Sequence, residues 1–172
     1  MPWPHDRARD GGLDPVPAPG VLGQLWLCGK HLVGHDPEAA LARVGEPGVI
    51  VCLNERDELV ARYPDYVRWL AEEDGGHAHW VPIPDLHAPD LDVALTLVDE
   101  IVGRLRAGQH VIVHCGAGIG RAGTTAILVL MALGLSAGDA AATVAAARPM
   151  AGPEAGPQRD LVDAYAAHQR AV

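Results

Sequence analysis

Phenylalanine is absent from this chain of 172 residues, aromatic residues make up only 4%, and Lys30 is the single lysine beside twelve arginines. A core must therefore be filled by Ala, Val and Leu. The 49% apolar content and a length suited to one domain allow that. Scarce lysine with abundant Ala, Gly and Pro also suggests a GC-rich bacterial coding sequence. Cysteine is scarce too. Cys28, Cys52 and Cys115 are too few, and odd in number, for a disulfide framework, which suits a reducing, cytoplasmic setting. No basic region followed by an apolar run opens the sequence, so no secretory signal is expected. The apolar stretch near residues 126–135 is far shorter than the ~20 residues a membrane span needs. Positive charge is in deficit: a net charge of −9 argues against nucleic acid or an anionic membrane as surface partner. No internal repeat is visible.

What is present is concentrated between residues 111 and 123. Val111-Ile112-Val113 reads as a short buried strand and ends in His114-Cys115. Gly116, Gly118 and Gly120 follow, then Arg121, and residues 124–133 read as a buried helix ending near Gly134. A glycine-rich turn at a helix N-terminus directs unpaired N–H groups inward, and the helix dipole adds to the attraction for an anion. Cys115 would lie at the floor of that nest, where the same field favours a thiolate over a thiol. His114 either hydrogen-bonds the sulfur or points away from it. Arg121, six positions after Cys115, offers a planar fork that holds two phosphate oxygens at once. A Rossmann or Walker loop would need a different glycine spacing or a Gly-Lys pair, neither of which follows this strand. The residues thus suit attack on a phosphate monoester by a thiolate.

His114-Cys115-x5-Arg121 resembles the signature loop of the protein-tyrosine phosphatase superfamily. The rest of the chain, over roughly residues 20–170, looks most like its small dual-specificity branch. The resemblance implies an α/β fold with a central, mainly parallel sheet flanked by helices. It implies Cys115 as nucleophile, Arg121 as transition-state clamp, and the backbone of Gly116, Ala117, Gly118, Ile119, Gly120 and Arg121 as the phosphate cradle. It implies no metal or other cofactor. A leaving oxygen needs a proton, and Ile83-Pro84-Asp85, 30 residues before Cys115, resembles the family's acid loop. Asp85 is therefore expected as general acid, then base. Asp90 is its rival and reads better as the cap of the next helix. Gln158 resembles the glutamine that orients the hydrolytic water. One position departs from the family: Ala122 stands where a Ser or Thr hydroxyl normally stabilises the departing sulfur. The resemblance then implies rapid attack and slow hydrolysis of the intermediate.

Around this centre the chain divides into a Pro/Gly-rich flexible arm at 1–20 and a catalytic domain at 21–172. Leu25–Leu27 reads as an edge strand, residues 48–54 as a buried strand, and residues 79–83 as a strand leading to the acid loop. Helices are expected over 37–43, 65–73, 93–106, from Ser136 to Arg148, and 157–168. Strands that alternate with helices argue for a parallel sheet with the nest at the carboxyl end of a central strand. Cys52 reads as a packed strand residue, with a protective disulfide to Cys115 as the alternative. The pairs His31/His35 and His77/His79 have no Cys or carboxylate cluster at zinc spacing and read as surface residues. The loop's own lack of lysine favours a phosphorylated protein side chain over a polyanion, with a small phosphomonoester as the other substrate form. Two further readings stay open. One is a phosphate-recognition module with vestigial activity, prompted by Ala122. The other is a different cysteine-loop enzyme, an arsenate reductase or a rhodanese-like sulfurtransferase.

Overall fold

The computed structural model describes residues 5–172. Five strands form one sheet in the order β1-β2-β5-β3-β4. They are β1 (Asp14–Val16), β2 (Leu25–Gly29), β3 (Gly48–Cys52), β4 (Ala78–Trp80) and β5 (His110–Cys115). All neighbours run parallel except β1 on β2. The expected α/β architecture with a mainly parallel sheet is the one observed. Strand β5 is central because it is apolar on both sides. Its Val111 and Val113 face one layer, its Ile112 the other, and all three are fully buried.

The first layer holds α5 (Leu91–Arg106), α6 (Gly120–Ala132), α7 (Ala137–Ala147) and α8 (Gly156–Ala171). The second holds α2 (Lys30–Val33), α3 (Pro37–Val44) and α4 (Pro64–Glu73). A short helix, α1 (His5–Asp10), precedes β1. Caps behave as their residues suggest. Asp36 accepts from the Ala39 amide at 3.0 Å, and Ser136 accepts from the Asp139 amide at 3.1 Å. Asp90 holds the N-cap position of α5, but its side chain makes no capping bond. Among the described residues no helix is long and apolar enough to cross a membrane.

Three expectations are corrected. Leu25–Leu27 lies inside the sheet rather than at its edge, because β1 covers its outer side. The stretch expected as a flexible arm is structured over much of its length. Asp14–Val16 is the edge strand, Val16 is fully buried, and Gly11 and Gly12 offer their carbonyls to buried Arg148. Residues 1–4 of that arm lie outside the described residues. Helix α6 begins at Gly120, four residues earlier than expected. Two glycines in its first turns suggest a later start, but packing requires one of them. A Cβ on Gly123 would lie 2.4 Å from the Gly152 amide nitrogen, so only glycine lets that loop approach.

Candidate active site

The sequence run from β5 to α6 folds as one unit. Strand β5 ends at Cys115, residues 116–119 turn, and α6 starts at Gly120. The turn is pinned from outside by its carbonyls. Gly116 O accepts the Lys30 amide at 3.0 Å, Ile119 O accepts the Gly152 amide at 3.0 Å, and Ala117 O accepts from Arg148 Nη2 at 2.7 Å. Gly118 takes φ +74°, and a Cβ there would lie 2.3 Å from the Cys28 carbonyl oxygen. With the carbonyls held outward, the amides of residues 116–121 have no acceptor among the described residues. Gly116, Ala117, Ile119 and Arg121 line one cavity with Cys115, whose residue is 3% exposed.

Arg121 is buried and aimed by a carboxylate that sequence reasoning missed. Its Nη1 and Nη2 donate to the two oxygens of Glu58, both at 2.8 Å, and Nη1 also donates to Ile83 O at 2.8 Å. Glu58 ends a 3₁₀ turn, Arg56–Glu58, just beyond β3. Its other bonds come from the Glu55 amide at 2.7 Å and Asn54 Nδ2 at 3.1 Å. Burial pushes the Glu58 carboxyl up, but the hydrogen bonds from Arg121 and the Glu55 amide outweigh it and hold the group below its usual range. A carboxylate at the carboxyl end of a strand beside β5 was the available signal.

Asp85 stands across the pocket, its Oδ1 3.3 Å from Arg121 Nη2 and its side chain 70% exposed. The loop that carries Asp85 is an extension of the sheet rather than a free segment. Val81 donates to Cys52 O at 2.9 Å and Ile83 to Leu53 O at 3.0 Å. Cys115, Arg121 and Asp85 therefore line one cavity of about 700 Å³. Gln158 does not join them. It is 1% exposed, with Oε1 accepting the Glu154 amide at 2.7 Å and Nε2 donating to His87 O at 3.3 Å. It lines a small side cavity behind Arg121, while Glu154, packed against Gly120, faces the main one. Ala122 is fully buried in the first turn of α6. Thr125 donates to Arg121 O at 2.9 Å, and Thr124 opens on the side cavity, so neither hydroxyl reaches the Cys115 cavity.

His114 points away from the sulfur. It lies on the opposite sheet face, with Nε2 2.7 Å from the Tyr66 hydroxyl and Nδ1 3.2 Å from the Cys115 carbonyl oxygen. Desolvation lowers its imidazole to about 4, although the bond to the Cys115 carbonyl opposes the shift. The neutral ring then donates from Nδ1 and accepts the tyrosine O–H at Nε2. An unfolded chain protonates the same group near its ordinary 6.5. Stability from this group is thus complete above about 6.5 and is lost as pH falls from there through about 4. Urea unfolding at steps across this window should show stability falling with acid, and the fall should be shallower in His114→Gln. Equal slopes in the two proteins would refute the assignment. Cys28 and Cys52 sit beside His114 in the strand register, on the face away from Cys115. Burial pushes the Cys28 thiol far up and the Cys52 thiol to about 12. Both are packed strand residues.

Charge around the pocket exceeds what the loop itself supplies. Lys30, Arg148 and the α1 residues Arg7 and Arg9 line the cavity with Arg121, each from a distant part of the sequence.

A family model described as "Swiss Army Knife protein, DSP-PTPase phosphatase domain" matches residues 34–168. Among solved structures, Tk-PTP in its active form is 25% identical, with a TM-score of 0.67 over 89% of this chain and 96% of that one. Kinase associated phosphatase, with its catalytic-site cysteine replaced by serine, is 20% identical, with a TM-score of 0.75 over 94% and 97% of the two chains. Human DUSP28 is 22% identical, with a TM-score of 0.65 over 86% and 94%. The latter two show a shared fold. No curated protein matches the sequence.

Proposed function

This chain belongs to the dual-specificity branch of the protein-tyrosine phosphatase superfamily, and from that premise we propose that it hydrolyses phosphotyrosine, phosphoserine and phosphothreonine on proteins through a cysteinyl-phosphate intermediate. The family assignment sets aside the arsenate reductase and sulfurtransferase readings. In the proposed first step the Cys115 thiolate attacks phosphorus, an S–P bond forms, and the P–O ester bond breaks. The leaving oxygen takes its proton from Asp85. In the second step water attacks phosphorus, the Asp85 carboxylate accepts the water's proton, and the S–P electron pair returns to sulfur. Inorganic phosphate leaves. Arg121 and the amides of residues 116–121 hold the equatorial oxygens throughout. The active unit in this reading is the domain expected at 21–172 together with α1 and β1, which line or brace its cavity.

The observation that carries the proposal is the pairing of Arg121 with Glu58. A bidentate bond fixes the guanidinium plane over the amide nest, so its donors are oriented before substrate arrives. Ala122 bears on the second step. With no hydroxyl near the sulfur, the thiolate leaves the intermediate with less help. Stopped-flow p-nitrophenol release should show a burst matching the enzyme concentration, then slow turnover. Asp85→Asn should slow the burst about a hundredfold. Ala122→Ser should leave the burst amplitude unchanged and raise steady-state turnover about tenfold, the effect of one hydrogen bond to developing charge. Neither burst nor turnover in the unaltered protein would favour the phosphate-recognition reading that Ala122 motivates.

A further inference from the structure

Five of the chain's thirteen Lys and Arg side chains line the cavity above Cys115, in a protein of net charge −9. Arg121 is held by Glu58 at the end of the loop nearest residue 120. Arg7, Arg9 and Lys30 line the same cavity, and Arg148 reaches the other end of the loop, near residues 116 and 117. There the Lys30 amide and Arg148 Nη2 hold the carbonyls of Gly116 and Ala117.

Of the carboxylates that line the cavity, Glu58 is taken up by Arg121. Asp85 lies beside Arg121, and Glu154 packs against Gly120. Asp10 turns back to the Gly12 amide at 3.0 Å and toward Arg43. Asp14 is shared between two guanidinium groups, Arg7 at 2.9 Å and Arg148 at 2.8 Å. Arg148 is 5% exposed, and its Nε has no acceptor among the described residues. This buried charge adds positive potential beneath the wall, where screening by water is weak. Lys30 Nζ donates to the Glu58 backbone carbonyl at 3.2 Å and has no carboxylate partner among the described residues. Arg9 is exposed and likewise has no carboxylate at ion-pair distance there.

Resting on the phosphatase reading above, we infer that this wall, through Arg9 and Lys30, binds a second anionic group of the substrate. The preferred substrate is then a phosphomonoester with a further carboxylate or phosphate beside the scissile phosphate. The loop alone, which carries no lysine, pointed to a substrate without extra charge. The folded pocket adds the missing cations from residues 7–30 and from Arg148. A monoester phosphate seated over Cys115 and held by Arg121 leaves Arg9 and Lys30 without an anionic partner, whereas a second anion in the same cavity meets them.

The test compares kcat/KM for two phosphotyrosine peptides, one flanked by Glu and one by Gln, and for fructose 1,6-bisphosphate against fructose 6-phosphate. The unaltered protein and the double variant Arg9→Gln/Lys30→Gln are measured at low and high salt, with thermal melting to confirm folding. A doubly anionic substrate should be preferred roughly tenfold, through KM, in the unaltered protein. The preference should shrink toward unity in the double variant and at high salt. A preference confined to the peptide pair assigns the second anion to an acidic flank, and one confined to the sugar pair assigns it to a small bisphosphate. Equal rates within both pairs, in an enzyme that turns them over, would overturn the inference and leave the phosphatase reading standing. A preference that survives in the double variant would also overturn it. Failure to release phosphate from any substrate would overturn both.

Discussion

Replacing Cys115 with serine should remove turnover by about 10⁵-fold or more while leaving phosphate binding intact. The serine hydroxyl is not ionised near neutral pH and is a far weaker nucleophile than the sulfur it replaces. No other thiol stands in. Cys28 and Cys52 lie on the opposite sheet face, and burial keeps their protons in place. The amides of residues 116–121, Arg121 and Glu58 are untouched by the change, so the anion site persists. Titration calorimetry with a phosphotyrosine peptide should give similar affinity for both proteins, and the p-nitrophenol burst should vanish in the variant. Turnover comparable to the unaltered protein would place the nucleophile elsewhere.

Arg121→Lys should lower kcat by about 10³-fold, with a much smaller change in KM. Lysine keeps the charge but loses the fork. Arg121 makes three bonds at 2.8 Å, two to Glu58 and one to the Ile83 carbonyl, and these fix its plane. One ammonium cannot satisfy both oxygens of Glu58 and also follow the phosphoryl group as it becomes planar. Ground-state binding relies mainly on the backbone amides and survives. Steady-state kinetics on p-nitrophenyl phosphate separate the two parameters, and a kcat within tenfold of the unaltered protein would remove Arg121 from the proposed transition state.

The parts of the site that were legible in the sequence are those whose cause is local. His110–Cys115, the glycine turn and Arg121 follow one another within a dozen residues, so strand propensity, glycine freedom and helix polarity state the geometry directly. Asp85 was legible because prolines mark the loop that carries it. Glu58, Lys30 and Arg148 were not. Two reach the loop through sheet order, Glu58 through β3 beside β5 and Lys30 through β2 on the other side, and Arg148 through packing on the N-terminal segment. The position of β2 inside the sheet depended on β1, a strand of three residues containing a proline, too short for a pattern to reveal. Helix α6 started earlier than its glycines suggested because the fit against Gly152 decided the matter rather than propensity.

Arg148 grips the carbonyls of Gly11 and Gly12 from 137 and 136 positions away, and that of Ala117 from 31. Closing such long loops is slow and entropically costly. During synthesis the thiol of Cys115 leaves the ribosome well before the arginine that braces its loop. The growing chain therefore carries the cysteine before its loop is braced, and the shaped pocket arises only when its first and last thirds meet. The segment around Gly11 thus waits for Arg148 before the pocket closes, and a bulky group attached close to Gly11 would press on the pocket rather than hang free of it.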